Sequence, residues 1–468
     1  MAAPVRRGFL LLTVGVVLAA ASVAQAATYR VTKRGDHAPN GCSPADCTLR
    51  EAMLAANSTI GVGDRVVLPS RKPYRLEIPG GLEDEGATGD FDVLNDRLLI
   101  VHPGKGRATV DGSMIDRLFD AYAPFTVRKL VIKDGKALRY GGGIRVEAPL
   151  SVVDSVIRGN ESASCGGGIH TRHRFPLRII RSSVLGNKSA QGGGVSNSCF
   201  GTGGPLTMIR STIARNRGGI DSFGDFVANG GGMYFQTHPD FRSKIVNSTF
   251  AGNSTGPEID DADGGALYTN VGGLRITGST FSDNRAGDAG GAIQVQGADP
   301  LRLTDTTISG NRAKGNGGGI NFVNGEASLN AVTVVRNVGN SDSTPAGRGG
   351  GILYGDGLSI ENSLVTLNRL GSPGGGSTRN DCAGEAAIDS AGHNLFSSLS
   401  LCELDGPGDF VRKNPRLRKL ARNGGPTRTV ALKKRSPAIG EAKRSTAPGK
   451  DQRGHKRDRR PDVGAFER

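Results

Sequence analysis

The chain has 468 residues, with Gly 72, no Trp and a formal net charge of +15 at pH 7. Glycine is used about twice as often as average, yet without a collagen period and without the proline content of a disordered linker, so both of those classes are excluded. The charge is uneven, because residues 411–468 hold 19 Lys or Arg against five acidic residues. The basic character therefore belongs to the C-terminal segment, and the rest is close to neutral.

Residues 1–27 have the features of an export signal. Arg6 and Arg7 precede an apolar run, and Ala24-Gln25-Ala26 matches a small-residue cleavage site. The apolar run is too short to favour a retained span, so we expect no integral membrane segment after cleavage. The paired arginines leave the general secretory and twin-arginine routes both open. The sequence predicts a secreted, extracellular or cell-surface protein, with the periplasm as the alternative.

Six cysteines in an exported chain predict disulfides. No C-x-x-C pair occurs, which disfavours a zinc site. The connectivity cannot be derived from the count alone, and proximity along the chain is the single argument for a pairing. It favours Cys42 with Cys47, Cys165 with Cys199, and Cys382 with Cys402.

The first predicted element is a short helix. Thr48-Leu49-Arg50-Glu51 forms a capping box, with Thr48 as N-cap and Glu51 returning to its amide. The helix is expected to end near Asn57 and to present Leu49, Met53 and Ala56 on one face. An open solenoid exposes its core at each end, so we expect this helix to cover the first coil.

A repeated sequence motif then occupies most of the chain. It consists of a glycine run followed by an aliphatic residue and, later, an aliphatic stretch that ends at Asn. Gly141-Gly142-Gly143-Ile144 opens the first clear copy, and Gly349-Gly350-Gly351-Ile352 opens the last. A repeat of this length is typical of a solenoid. The closing asparagines are separated by 26 to 37 residues, and they are Asn160, Asn187, Asn216, Asn253, Asn284, Asn311, Asn337 and Asn368.

Short alternating segments such as Leu150-Ser151-Val152-Val153 lie between these landmarks and predict strands with one buried face. The fold class expected is all-β, a right-handed parallel β-helix solenoid with a short N-terminal capping helix. We interpret the repeated residues as architectural. Asn tolerates left-handed backbone geometry and can bond to the next coil, while Gly supplies positive φ and allows close approach of backbones.

Two terminal motif sets resemble known modules. Cys47-Thr48-Leu49-Arg50-Glu51-Ala52 resembles the CSLREA domain, with Thr in place of the usual Ser, and the pattern continues through residues 82–92. Near the C-terminus, Asn423-Gly424-Gly425-Pro426-Thr427 and Asp462-Val463-Gly464-Ala465-Phe466-Glu467 are similar to the choice-of-anchor Q module. The repeats themselves resemble those of polymorphic outer-membrane proteins, as in Phe281-Ser282-Asp283-Asn284 and Gly290-Gly291-Ala292-Ile293.

The resemblance implies a pectin-lyase-like right-handed β-helix at the cell exterior. It also implies a division of the chain into a signal peptide (1–27), a CSLREA-type cap with the first coils (28–110), β-helix repeats (111–380) and a basic choice-of-anchor Q-like module (381–468). For most relatives of this kind no activity is established. The resemblance therefore predicts the fold and the location of the protein, but it does not predict a reaction.

The candidate for catalysis or metal binding is an acidic loop with Glu258, Asp260, Asp261 and Asp263. Four carboxylates could bind Ca²⁺, which in a lyase acidifies a uronate α-proton while an arginine or lysine removes it. Arg285 or Arg312 on neighbouring coils would be that base. Solvated acidic loops are nevertheless common, and the spacing is not that of an EF-hand.

His170 and His173 form a His-x-x-His pattern, which in a strand context is more often two surface residues than a ligand pair. The absence of Trp disfavours strong stacking on sugars. Nucleic acid is disfavoured as a partner because the chain is exported and its tail is poor in aromatics.

We therefore expect an exported adhesion or interaction protein without a cofactor. Its expected partners are glycans or anionic cell-envelope polymers, and the basic tail is a candidate anchor to such polymers or to lipid headgroups. The alternative is a Ca²⁺-dependent polysaccharide lyase or glycoside hydrolase that uses the acidic loop.

Overall fold

In the computed structural model the described residues are 25–61, 63–80, 85–199, 201–219, 228–256, 261–270, 273–297, 300–322, 324, 326–342, 347–355, 357–372 and 374–468. Residues 1–24, which hold most of the predicted export signal, lie outside them. The described chain is an all-β parallel solenoid with one short helix near its N-terminus, as the sequence predicts.

The helix α1 spans Leu49–Asn57 and begins with the predicted capping box. The Glu51 amide donates to the Thr48 hydroxyl at 3.2 Å, and the Thr48 amide donates to the Glu51 carboxylate at 2.7 Å. Leu49 and Met53 are buried in the core cluster of the first coils. The sequence did not reveal that Arg50 is also fully buried.

Each coil contributes a strand to three long parallel sheets, which we name by their position in the coil. The glycine sheet follows the glycine turn, the middle sheet comes next, and the asparagine sheet precedes the ladder asparagine. The described strands of the glycine sheet are Phe91–Val93, Phe119–Ala121, Ile144–Val146, Ile169–Thr171, Val195–Ser196, Met233–Gln236, Leu267–Asn270, Ile293–Val295, Ile320–Phe322, Ile352–Tyr354 and Cys382–Gly384.

The middle sheet has the most regular strands, because most of its members have four residues that pair without a shift of register. Its described strands are Thr28–Arg30, Asp64–Val67, Leu98–Val101, Phe125–Arg128, Leu150–Val153, Leu177–Ile180, Leu206–Ile209, Ser243–Val246, Leu274–Thr277, Leu301–Thr304, Ala327–Asn330, Leu358–Glu361 and Asp389–Gly392.

The asparagine sheet completes the coil. Its described strands are Tyr74–Arg75, Ala108–Asp111, Leu130–Lys133, Val156–Arg158, Ser183–Leu185, Thr212–Ala214, Thr249–Ala251, Thr280–Ser282, Thr307–Ser309, Thr333–Val335, Leu364–Thr366, Leu395–Phe396 and Phe410–Val411. The three sheets thus run on into the segment predicted as a C-terminal module, and the division into four domains stays a prediction.

Short strands at the corner after the asparagines form a further sheet, the corner sheet. Its members are Arg217–Gly218, Ser254–Thr255, Arg285–Ala286, Arg312–Ala313, Val338–Gly339, Arg369–Ser372 and Gly376–Arg379, of which the last two are antiparallel. Lys136–Ala137 pairs with Glu161–Ser162 at the same corner of earlier coils. A C-terminal hairpin pairs Leu417–Ala421 with Thr429–Leu432.

The aliphatic residues of successive coils stack in register. Leu150 pairs with Leu177, and Leu177 pairs with Leu206, on the inward side of the middle sheet. All three are at most 1% exposed. Because alternate residues of a strand face opposite sides, this register forms one continuous apolar core along the solenoid.

The ladder asparagines are axial neighbours. Asn284 donates from its side chain to the Asn311 side-chain oxygen at 2.8 Å, and the Asn284 backbone amide donates to the same oxygen at 3.0 Å. The Asn284 side chain also donates to the Phe250 carbonyl. Every polar atom of this buried amide is therefore used, which is the condition for burying it without a large free-energy cost.

The expected backbone geometry of the ladder was wrong. The left-handed residue is the one before each asparagine, for example Gly159 (φ 66°), Arg215 (φ 56°) and Leu367 (φ 58°). The chain bends at that preceding residue, and the asparagine itself only has to point its amide along the solenoid axis.

A second ladder, formed by hydroxyl side chains, was not predicted. The amide of Ser155 donates to the Ser182 hydroxyl at 3.0 Å, and the amide of Ser182 donates to the Ser211 hydroxyl at 3.1 Å. Ser248 and Ser279 continue the series. Each of these serines lies five residues before a ladder asparagine, so the sequence contained the signal.

The glycine turns have the predicted geometry. Gly141 has a φ of 64°, and a Cβ at Gly143 would lie 2.6 Å from the carbonyl oxygen of Gly168 on the next coil. The first glycine is needed for its conformation and the third for the close approach of two backbones.

The disulfides join Cys42 to Cys47, Cys165 to Cys199 and Cys382 to Cys402. The first lies just before α1, at the entrance to the solenoid. Within the described part of the chain, no helix is long and apolar enough to span a membrane.

Residues 414–468, which we call the C-terminal strap, fold back over the asparagine sheet. The Gln452 side-chain amide donates to the Thr280 hydroxyl at 2.8 Å, and the Thr307 hydroxyl donates to the Gln452 oxygen at 2.6 Å. Arg457 forms ion pairs with Asp305 at 2.8 Å and with Glu467 at 3.2 Å. Buried polar contacts, as well as apolar packing, therefore hold the strap against the asparagine sheet.

Candidate functional site

The predicted acidic loop is only partly described, since Glu258 and Asp260 lie outside the described residues. Asp261 is exposed and has a φ of 63°. Asp263 is largely buried and accepts a hydrogen bond from the Ala289 amide at 2.9 Å. Burial, reinforced by the nearby Asp288 carboxylate, raises the pKa of Asp263 to about 7. The described half of the loop thus holds one exposed carboxylate and one that resists ionisation.

Arg285 and Arg312, the candidate bases, are axial neighbours on the corner sheet. Both side chains are exposed. Within the described ranges no ion pair joins either arginine to Asp261 or Asp263. The structure brings the two arginines together but does not assemble the predicted acid–base site from its described members.

The expectation that both histidines are surface residues was wrong for His170. Its side chain is 2% exposed and stacks on Tyr140 with ring centroids 5.0 Å apart. Burial, together with the positive charge of Arg145, lowers the pKa of His170 to about 3, so the ring is neutral. His173 is exposed and lies 3.5 Å from the Glu147 carboxylate. The two rings occupy different environments.

A cluster that sequence reasoning missed lies on the outward side of the glycine sheet in the first coils. Asp90, Asp92 and Asp120 are buried, and one oxygen of each lies within 4.8 Å of the others. Such a group of carboxylates could hold a cation. The signal in the sequence was a charged residue between two inward-facing ones, as in Phe91-Asp92-Val93 and Phe119-Asp120-Ala121.

Guanidinium groups already supply positive charge to this cluster. Arg117 lies 3.2 Å from the Asp90 carboxylate and also pairs with Asp120, while Arg145 lies 2.7 Å from Asp120. Burial still dominates at Asp90, whose pKa is raised to about 7. Arg117 and Arg145 thus pair with carboxylates of neighbouring coils, so the arrangement fits a cross-coil ion-pair network better than a calcium site.

The outward face of the middle sheet carries a different kind of row. Arg178, Thr207, Lys244, Arg275 and Arg302 pair in register, one from each successive coil. The four charged side chains are exposed, and none forms an ion pair within the described ranges. Neighbouring strands are about 4.8 Å apart, so like charges at this spacing repel one another. We call this set the cation row.

An apolar row runs beside the cation row. Ile180, Ile209 and Val246 lie two residues further along the same strands, pair in register, and are half-buried. Because residues two apart share a face of a strand, this aliphatic row and the cation row lie on the same face of the sheet. That surface offers a line of positive charge beside a line of methyl groups.

Comparison with known proteins gives a match to a family of repeats and a set of similar solved structures. Residues 278–296 match the Chlamydia polymorphic membrane protein repeat. The match is shorter than one coil and runs from the asparagine sheet of one coil to the glycine sheet of the next. No match is found among curated proteins.

Among solved structures, the crystal structure of pectate lyase Pel9A has a TM-score of 0.42 and 14% identity, with 95% of this chain and 97% of that chain covered. A mannuronic acid specific polysaccharide family 6 lyase from human gut microbiota has a TM-score of 0.37 and 11% identity, with coverage of 78% and 82%.

Proposed function

We propose that the protein is an exported binding protein that holds an acidic polysaccharide along the middle sheet. The observation that carries the proposal is the in-register cation row from Arg178 to Arg302, without acidic partners. The three disulfides are consistent with a location outside the cytoplasm. The resemblance to CSLREA and choice-of-anchor Q modules supports the same location and stays a prediction.

The chemistry of the row favours a linear ligand with regularly spaced anions. Consecutive rings of an extended polysaccharide advance the chain by a length similar to the strand spacing of about 4.8 Å. Arginine matches a carboxylate with two parallel N–H donors, and three of the four cations are arginines. The aliphatic row of Ile180, Ile209 and Val246 would support the apolar faces of the rings.

The binding expected is shallow and sensitive to salt. The row is exposed, so its pairs with ligand carboxylates contribute modestly and are screened over about 8 Å at physiological ionic strength. Affinity therefore depends on several cations acting together along one ligand chain.

The test is binding of the full chain to polygalacturonate, measured by calorimetry at low and high salt. The variant Arg275→Gln/Arg302→Gln should bind roughly tenfold more weakly, since two exposed pairs are lost. The matched control is Arg285→Gln/Arg312→Gln, which removes the same charge from adjacent coils of the corner sheet. If both variants lose the same affinity for polygalacturonate, binding depends on overall charge and not on the cation row, and the proposal is wrong.

A further inference from the structure

A second charged surface lies on the C-terminal hairpin and its flanks, residues 411–440, which we call the basic segment. This segment contains no acidic residue, and all of it is described. Every cationic side chain in it is exposed, and none takes part in an ion pair within the described chain. These cations are Arg412, Lys413, Arg416, Arg418, Lys419, Arg422, Arg428, Lys433, Lys434 and Arg435.

Several cations in the rest of the strap form ion pairs, unlike those of the basic segment. Lys443 pairs with Glu361, Arg453 pairs with Asp451, and Arg457 is buried between two carboxylates. Charges that fasten the strap are thus paired with acids, whereas those of the basic segment are not. The segment's charge is not explained by the attachment of the strap.

The apolar side of the basic segment packs against the asparagine sheet. Leu417, Val430 and Leu432 are buried against Leu364 and Leu395 of the asparagine sheet, in a core cluster separate from that of the solenoid. The Arg428 carbonyl accepts a hydrogen bond from Thr280 at 2.6 Å. With its apolar side buried in this way, the hairpin must present its cations to solvent.

We propose that the basic segment docks on a lipid surface whose headgroups carry phosphate. Ten cations without an acid repel one another, and a densely anionic surface removes that repulsion. Arg418 and Lys419 lie on the first strand of the hairpin, and the other cations lie in the segments before, between and after its two strands. Such a spread suits a surface better than a single extended polymer. Val411, 41% exposed beside Arg412, adds an apolar contact of the kind that interfacial segments use.

The experiment measures sedimentation of the full-length mature chain with vesicles of phosphatidylcholine, with and without phosphatidylglycerol. Binding is expected only to the anionic vesicles and should be lost at about 0.5 M salt. The variant Arg418→Gln/Lys419→Gln/Arg422→Gln should bind on the order of 100-fold more weakly at low salt, because each cation near an anionic membrane contributes about fivefold.

The control removes three cations from another face: Arg178→Gln/Lys244→Gln/Arg275→Gln on the middle sheet. It should keep its vesicle binding while losing polygalacturonate binding, so the failure of one proposal is distinguishable from the failure of the other. Unchanged thermal unfolding midpoints show that both variants are folded.

Two results would overturn the inference. One is equal binding to neutral and anionic vesicles. The other is tight, hairpin-dependent binding to soluble polyphosphate without binding to anionic vesicles, which would assign the segment to a polymer instead of a lipid surface.

Discussion

Asp381 ends the asparagine ladder by accepting two hydrogen bonds from Asn368, from its backbone amide and from its side chain, each at 3.0 Å. The other carboxylate oxygen accepts from the amide and hydroxyl of Ser397 at 2.7 Å and from the Ser398 amide at 2.8 Å. An asparagine could not serve here, because its NH₂ group would face donors. The change from amide to carboxylate lets the ladder stop with every buried donor satisfied.

Replacing Asp381 with Ala should lower the free energy of unfolding by about 3–5 kcal/mol, since five donors lose their acceptor in a buried site. Asp381→Asn should recover only part of this loss, because it keeps one acceptor and adds a donor that faces Ser397. Denaturant unfolding measures both. The control Asp389→Ala, at an exposed position nearby, should change stability by less than about 0.5 kcal/mol. An Asn variant as stable as the wild type would contradict this account of the ladder's end.

The strap should depend on Arg457. This guanidinium pairs with Asp305 and Glu467 and also donates to the carbonyls of Asp462 and Gly464. Arg457→Ala leaves buried charges without a partner, so we expect a loss of about 3–5 kcal/mol and protease cleavage within the strap.

A double-mutant cycle isolates the pair. Asp305→Ala/Arg457→Ala should be less destabilised than the sum of the single variants, because neither charge is then left alone. Additive losses would show that the two side chains do not stabilise each other.

Asp263 should make stability dependent on pH. Its pKa is raised in the folded state to about 7, from an ordinary value near 3.8. A carboxyl group whose folded pKa is raised stabilises the fold most below pH 4, and this contribution is lost as the pH rises towards 7. Asp263→Asn should reduce this decrease in stability between pH 4 and 7. At pH 8 it should raise the free energy of unfolding by no more than about 4 kcal/mol. Thermal unfolding from pH 4 to 8 measures this pH dependence. If the stability of the variant falls with pH as steeply as that of the wild type, the dependence belongs to other groups, Asp90 first.

Binding without turnover is the outcome expected with polygalacturonate and Ca²⁺. Arg285 and Arg312, the candidate bases, are exposed, and among the described residues neither forms an ion pair with Asp261 or Asp263. The described residues therefore supply no assembled acid–base pair for proton abstraction. Absorbance of unsaturated ends and reducing-sugar release are the measurements. Turnover that disappears in Asp261→Ala/Asp263→Ala would favour the lyase alternative over our proposal.

The repeat made most of the fold predictable. One residue type at one place per coil is enough to predict the asparagine ladder, and the capping box at Thr48 and Glu51 predicts α1 from four residues. The serine ladder had the same period but was hidden, because serine is common in turns. The left-handed residue was misplaced because Asn and its predecessor both sit at the corner, and only coordinates separate them.

The contacts of the candidate sites were less predictable because they join residues of different coils. Asp92 and Asp120 are 28 positions apart, and their proximity depends on the length of the turns between them. The cation row is visible only once the register aligns Arg178 with Lys244 through Thr207. The contact of Gln452 with Thr280, 172 residues away, follows from no local pattern.

The strap covers only part of its sheet. Thr280, Thr307 and Thr333 on the outward face are buried beneath it, whereas Thr212 and Thr249 on earlier coils are partly open to solvent. The strap forms hydrogen bonds with threonines of three successive coils, so its complete attachment requires those coils to be folded. Under mechanical or thermal stress, the coils before Thr249 should therefore unfold first. The coils covered by the strap should stay folded until the strap detaches.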